Sequence, residues 1–115
     1  MDLQQLQELV NIESDRLMLQ YNETPDPKLV ILARTVKLSE ESGELADQIL
    51  GYCGLQRKDK MYKYSMDKLS KELADVIITT FVLAKACNVD IIKAIDDKMQ
   101  IVSQRKLNGE VNPIV

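Results

Sequence analysis

Carboxylates recur at helical spacing in two places, and no other feature limits the fold of this chain as tightly. In Lys37-Leu38-Ser39-Glu40-Glu41-Ser42-Gly43-Glu44-Leu45-Ala46-Asp47, four acids fall within eight residues. Residues three or four apart are neighbours on a helix. Glu40 with Glu44, Glu41 with Glu44, and Glu44 with Asp47 are therefore like-charge pairs, each costing roughly a few tenths of a kcal/mol. A solvated acidic face tolerates that repulsion. A divalent cation removes it, because hard cations such as Mg²⁺ take oxygen ligands and two carboxylates on one helical face supply them.

The second place is Glu72-Leu73-Ala74-Asp75, again an i, i+3 pair, here inside a strongly apolar run. Leu69, Leu73, Val76, Thr80, Phe81, Ala84 and Cys87 form a helical core stripe, with Glu72, Asp75 and Thr79 on the neighbouring stripe between Ile78 and Val82. A buried, unpaired charge is costly, so carboxylates hemmed in by large apolar side chains are paired or ligate metal.

Composition excludes several other chemistries. The chain has no histidine, and its two cysteines, Cys53 and Cys87, lack CxxC spacing, which argues against a zinc site and against most Cys/His or Ser/His nucleophile systems. Any catalysis rests on carboxylates, lysines and metal. A net charge of −3 offers no general attraction for nucleic acid, and one Phe with no Trp leaves little for base stacking. No apolar run is long enough to span a membrane, and the start, Met1-Asp2-Leu3, lacks the basic and apolar blocks of a secretory signal, so the expected location is the cytoplasm. At 115 residues with 45% hydrophobic side chains, the chain reads as one domain, 1–115. Sparse Gly and Pro and apolar periods near 3.6 predict an all-α, four-helix bundle-like protomer.

The first helix is expected from about Asp2 to Gln20, with Leu3, Leu6, Leu9 or Val10, Glu13 and Leu17 in a 3/4 rhythm. Prolines then break the chain, and Asp26-Pro27 is a good N-cap and first-turn pair for a helix reaching about Gly51. That helix is apolar around more than half its circumference, at Ile31, Leu32, Val36, Leu38, Leu45, Ala46, Ile49 and Leu50. Gly43 lies among the acids, where close approach of another helix or a ligand would explain it; the alternative is a tolerated passenger. A loop over 51–65 carries Arg57, Lys58, Lys60 and Lys63, either as a solvated surface or as a flap bringing cations to an anionic substrate. A third helix is expected from about Met66 to Cys87, with Asn88 as a left-handed C-cap. A fourth opens at Asp90-Ile91 and runs to about Lys106, with Lys98 and Arg105 on one side, followed by an irregular tail from Asn108 to Val115. Exposed apolar positions such as Leu19, Ile77, Ile78 and Leu83 exceed what so small a monomer can cover, which predicts a homodimer or homotetramer with an isologous interface.

The order Glu40-Glu41-x-x-Glu44, a 27-residue gap, then Glu72-x-x-Asp75 resembles the EExxE…ExxD signature of the MazG-like all-α nucleoside triphosphate pyrophosphohydrolases. The resemblance spans about 28–106 and includes Lys37, the Asn88-Val89-Asp90 joint and the Lys98 to Arg105 spacing. Family members often carry an Asn between that Lys and Arg, where this chain has Val102, Ser103 and Gln104. The resemblance implies Mg²⁺-dependent, or Mn²⁺-dependent, cleavage of an NTP or dNTP between the α and β phosphates to a monophosphate and pyrophosphate. It implies Glu41, Glu44, Glu72 and Asp75 as metal ligands, Glu40 as general base, and Lys37, Lys98 and Arg105 as phosphate contacts. The residues alone leave those cations equally readable as surface ion pairs. They also leave two other functions open, a non-catalytic helical interaction module and a catalytically idle nucleotide sensor.

Overall fold

Four helices are set by local signals that are all visible in the structure, a computed structural model describing residues 1–21, 24–107 and 110–111. Helix α1, Leu3–Met18, opens with a capping box in which Asp2 accepts from the Gln5 backbone N–H and Gln5 accepts from that of Asp2. Helix α2, Pro27–Tyr52, starts on the expected pair, with the Asp26 carboxylate accepting from the Lys28 N–H at 2.8 Å and Pro27 at the first helical position. Ser65 caps helix α3, Met66–Ala86, and Asp90 caps helix α4, Ile91–Ser103. Between α3 and α4 the chain turns on Asn88 at φ 57°, the left-handed residue expected there.

Helices α2 and α3 pair antiparallel: Glu41 lies near Asp75 at one end, and Gly51 meets Tyr64, just before α3, at the other. Helix α1 packs on α3. The tightest part of the core joins Val10 of α1 (2% exposed) to Phe81 and Val82 of α3, with Leu6, Leu17, Ile91 and Ile92 around them. Val10, rather than Leu9, is thus the inward position of α1.

Several expectations are corrected here. The protomer is open rather than a closed bundle: its radius of gyration is 17.8 Å, against about 13 Å for a compact chain of about 100 residues. Leu32 and Val36, expected in a central helix, are 59% and 62% exposed, because α2 turns its other face to α3. Leu73 and Cys87 are likewise exposed, while Leu69, Phe81, Val82 and Ala84 form the buried side of α3. Helix α4 stops at Ser103. Beyond it Lys106–Leu107 pairs antiparallel with Glu110–Val111, so the tail is not wholly irregular; its residues 108–109 and 112–115 lie outside the described set. The 51–65 connection contains a 3₁₀ helix, Lys58–Lys63.

Gly43 has nothing within 4 Å of where a Cβ would stand, so close packing does not explain it. The glycine that does permit close approach is Gly51. A Cβ there would lie 2.8 Å from Tyr64 Cβ.

Candidate active site

Glu41 and Glu44 on α2, and Glu72 and Asp75 on α3, occupy the facing stretches of the antiparallel pair. Their i, i+3 spacings place each pair on one side of its helix. Glu41, Glu72 and Asp75 each offer a carboxylate oxygen within 4.8 Å of the others, the one such acidic group among the described residues. Glu41 is buried (8% exposed), Glu72 is half-buried and Asp75 opens to solvent.

The charges of the cluster act on one another. Burial raises the Glu41 carboxyl above the ordinary carboxylate range, and the charges of Glu44 and Asp75 add to it, against the opposing pull of Lys37. Glu72 is raised by burial first, then by Glu44, Asp75 and Glu41. Glu41 Oε2 and Glu72 Oε2 are buried without a hydrogen-bond partner. Three converging carboxylates, two of them with a buried oxygen left without a partner, are the donor set a hard divalent cation takes, so the residues fit such an ion. Glu44 stands outside the three-oxygen group, though its side chain acts on Glu72 at close range.

A cavity of about 490 Å³ adjoins the cage where α1 packs on α3 but stands off the N-terminal half of α2. Glu41 and Asp75 line it at the cage. Lys37 and Arg34 line it from α2, Glu13 and Arg16 from α1, Gln20 from the turn after α1, and Ile78, Thr79 and Val82 from α3. Of the expected phosphate contacts, Lys37 lines the cavity and bridges to Glu40 at 3.2 Å and Glu41 at 3.5 Å, which raise its pKa. Glu40, the expected base, is exposed and held beside Glu41 by that bridge; it does not line the cavity. Lys98 is exposed on α4, and Arg105 lies past the end of that helix, so the two do not share a helical face. Neither lines the cavity. None of Arg57, Lys58, Lys60 or Lys63 reaches it either.

Three charged residues of the cavity lining were not legible as such. Arg16 and Arg34 look in sequence like ordinary surface charges and Glu13 only like part of the α1 rhythm, and the α1–α2 gap brings the three together. Gln48, one turn beyond Glu44 and outside the cavity lining, has Oε1 buried and unpartnered while Nε2 donates to the Lys63 carbonyl at 3.4 Å.

An all-α chain with a carboxylate cage between two antiparallel helices and a cavity of mixed charge beside it defines a helical, acid-cage class of protein. A family description, the MazG nucleotide pyrophosphohydrolase domain, matches residues 32–108, and the chain belongs to that family. The match takes in α3 and α4 whole, with most of α2, and so contains every carboxylate of the cage, while α1 lies outside it. No curated protein and no solved structure matches the chain. Nucleotide pyrophosphohydrolysis is accordingly the general activity to which the family points, and a metal-dependent one. Among the described residues no helix is long and apolar enough to cross a membrane.

Proposed function

We propose that the protein is a Mg²⁺-dependent pyrophosphohydrolase that cleaves an NTP or dNTP between the α and β phosphates. The observation that carries this reading is the convergence of the Glu41, Glu72 and Asp75 carboxylates, two of which have a buried oxygen without a partner, beside a cavity lined by Lys37.

Glu41, Glu72 and Asp75, with Glu44 adjoining, would hold the divalent ion, Mg²⁺ or Mn²⁺, which when bound would supply Lewis-acid stabilisation of phosphate charge. Glu40 takes a proton from the attacking water. As the water oxygen bonds to the α phosphorus, the bridging oxygen leaves with its electron pair as part of pyrophosphate. Lys37 offsets the charge that collects on the departing oxygens, in keeping with phosphoryl chemistry in which positioning and electrostatics dominate. Lys98 and Arg105 reach the phosphates only if another copy of the chain brings them.

The functional unit we infer is a single domain working as a homodimer or homotetramer. In its support, only Val10, Leu69, Phe81, Val82 and Ala84 are buried apolar side chains among the described residues, while Leu32, Val36, Ile77 and Ile101 stay more than half exposed. A core so small does not stabilise a chain of this length alone. A soluble, cytoplasmic enzyme without a nucleic-acid or membrane partner completes the reading.

The test is release of pyrophosphate from a panel of NTPs and dNTPs with Mg²⁺. Turnover that is lost in Asp75→Asn supports the reading. Binding of nucleotide without turnover marks an idle sensor, and neither binding nor turnover leaves a helical interaction module.

A further inference from the structure

The cation-lined cavity has an internal order. Arg34, Lys37 and Glu41 stand at i, i+3 and i+7 on α2, so they share one face and are spaced along the axis by about 4.5 Å and 6 Å. The cage is at one end of that row, and Arg34 is two turns away from it. Across the gap, Arg16 on α1 lines the same cavity. A phosphate held at the cage would leave its neighbours to run past Lys37 toward Arg34 and Arg16.

Glu13 sits in the middle of this arrangement. Its carboxylate accepts from Arg16 Nε at 2.8 Å and from Nη2 at 2.6 Å, a two-point grip. Arg34 also acts on it electrostatically from α2. Arg34 itself forms no ion pair among the described residues. Two guanidinium groups thus face one small anion, and planar guanidinium suits phosphate as well as it suits carboxylate.

We propose that Arg16 and Arg34 grip the β and γ phosphates of the triphosphate, and that Glu13 holds their place as a built-in anion which the substrate displaces. The inference rests on the pyrophosphohydrolase reading above and adds to it the direction in which the substrate lies and the residues that hold the departing pyrophosphate. The Glu13–Arg16 pair is an i, i+3 contact with Arg16 exposed and Glu13 half-buried, within one helix, so breaking it has a small effect on folding.

The experiment is calorimetric titration of inorganic pyrophosphate, with Mg²⁺, into the full chain and into Arg16→Gln, Arg34→Gln, Arg34→Lys and Glu13→Gln, alongside triphosphate kinetics. A nucleoside monophosphate serves as the second ligand. Pyrophosphate affinity should fall about tenfold or more in each Arg→Gln variant, as expected for losing a charge-assisted contact. Arg34→Lys should fall between, and Glu13→Gln should bind pyrophosphate more tightly than the parent. Monophosphate affinity should change less than twofold, and KM for the triphosphate should rise more than kcat falls. Unchanged pyrophosphate affinity in both Arg→Gln variants of a chain that hydrolyses triphosphates overturns this inference alone, as does weaker binding in Glu13→Gln. A parent chain that neither binds pyrophosphate nor turns over any triphosphate overturns the pyrophosphohydrolase reading as well.

Discussion

Gly51 lies so close to Tyr64 that a methyl group on its α-carbon would stand 2.8 Å from the Tyr64 Cβ. This contact closes the end of the α2–α3 pair opposite the cage, and the Tyr64 backbone can shift only by moving the start of α3. Gly51→Ala should therefore destabilise the protein by about 1–3 kcal/mol, the usual range for overpacking. Gly43→Ala, with open space around it, should be neutral or stabilising by up to about 1 kcal/mol. Chemical denaturation of the two variants checks the contrast.

Metal should stabilise the folded chain. Mass action predicts about 2.7 kcal/mol at a metal concentration one hundred times Kd. The melting temperature should rise on adding millimolar Mg²⁺ or Mn²⁺ and return in EDTA. Glu72→Gln should melt higher than the parent in EDTA, since it removes a buried, repelled charge, yet lose most of the response to metal. A parent protein indifferent to metal would refute the cage.

Acidity should act on the metal-free cage with a definite sign. The carboxyls of Glu41 and Glu72 are raised in the folded state, so that state binds protons more readily than the unfolded chain. Their contribution to stability then grows as pH falls from neutral toward the raised pKa and is lost as pH rises through it. In EDTA, Glu41→Gln/Glu72→Gln should be more stable than the parent at neutral pH, with the gap narrowing as pH falls toward the carboxylate range. With Mg²⁺ present the parent should instead lose stability on acidification, because protons compete with the ion.

Removing the base is expected to separate chemistry from binding. Glu40→Gln should lower kcat by about 10²- to 10⁴-fold while leaving the metal-induced rise in melting temperature nearly intact. Loss of the thermal response together with turnover would make Glu40 a ligand. Glu44→Gln under the same assay shows whether the carboxylate outside the three-oxygen group assists the ion or the water.

Association should be measurable by sedimentation at micromolar concentration, with a mass of two or four times 13.1 kDa. Leu32→Glu and Val36→Glu, on the outer face of α2, should lower that mass and the melting temperature together. A parent chain sedimenting as a single 13.1 kDa species would exclude the assembly.

Signals that act within three or four residues are legible in this sequence. Asp26 before Pro27 marks a helix start because its carboxylate reaches the nearest free N–H groups, and Asn88 marks a stop because it tolerates a positive φ. The acids of the two half-motifs are legible for the same reason, their spacing matching a helical turn. What needs contacts between elements is not. Which glycine matters depends on Tyr64, thirteen residues beyond Gly51. Whether α2's broad apolar sweep is covered depends on which side α3 takes. Arg16 and Arg34 belong to one cavity only because α1 leans on α3 and away from α2. The expected end of α4 at Lys106 fails because residues 106–107 pair with 110–111 instead of continuing the helix.

Glu41, Glu72 and Asp75 all ride on one helical hairpin, whereas Glu13 and Arg16 ride on α1, which reaches the cavity only by way of α3. The ion grip is thus built from chain segments linked by a single connection, and its closure costs little entropy. The phosphate grip is split, with Arg34 and Lys37 on the hairpin and Arg16 on a separate helix that has to dock. The two halves of the site can therefore drift apart in evolution at different rates: α1 can be retuned to another anion, or lost, while the hairpin keeps its chemistry.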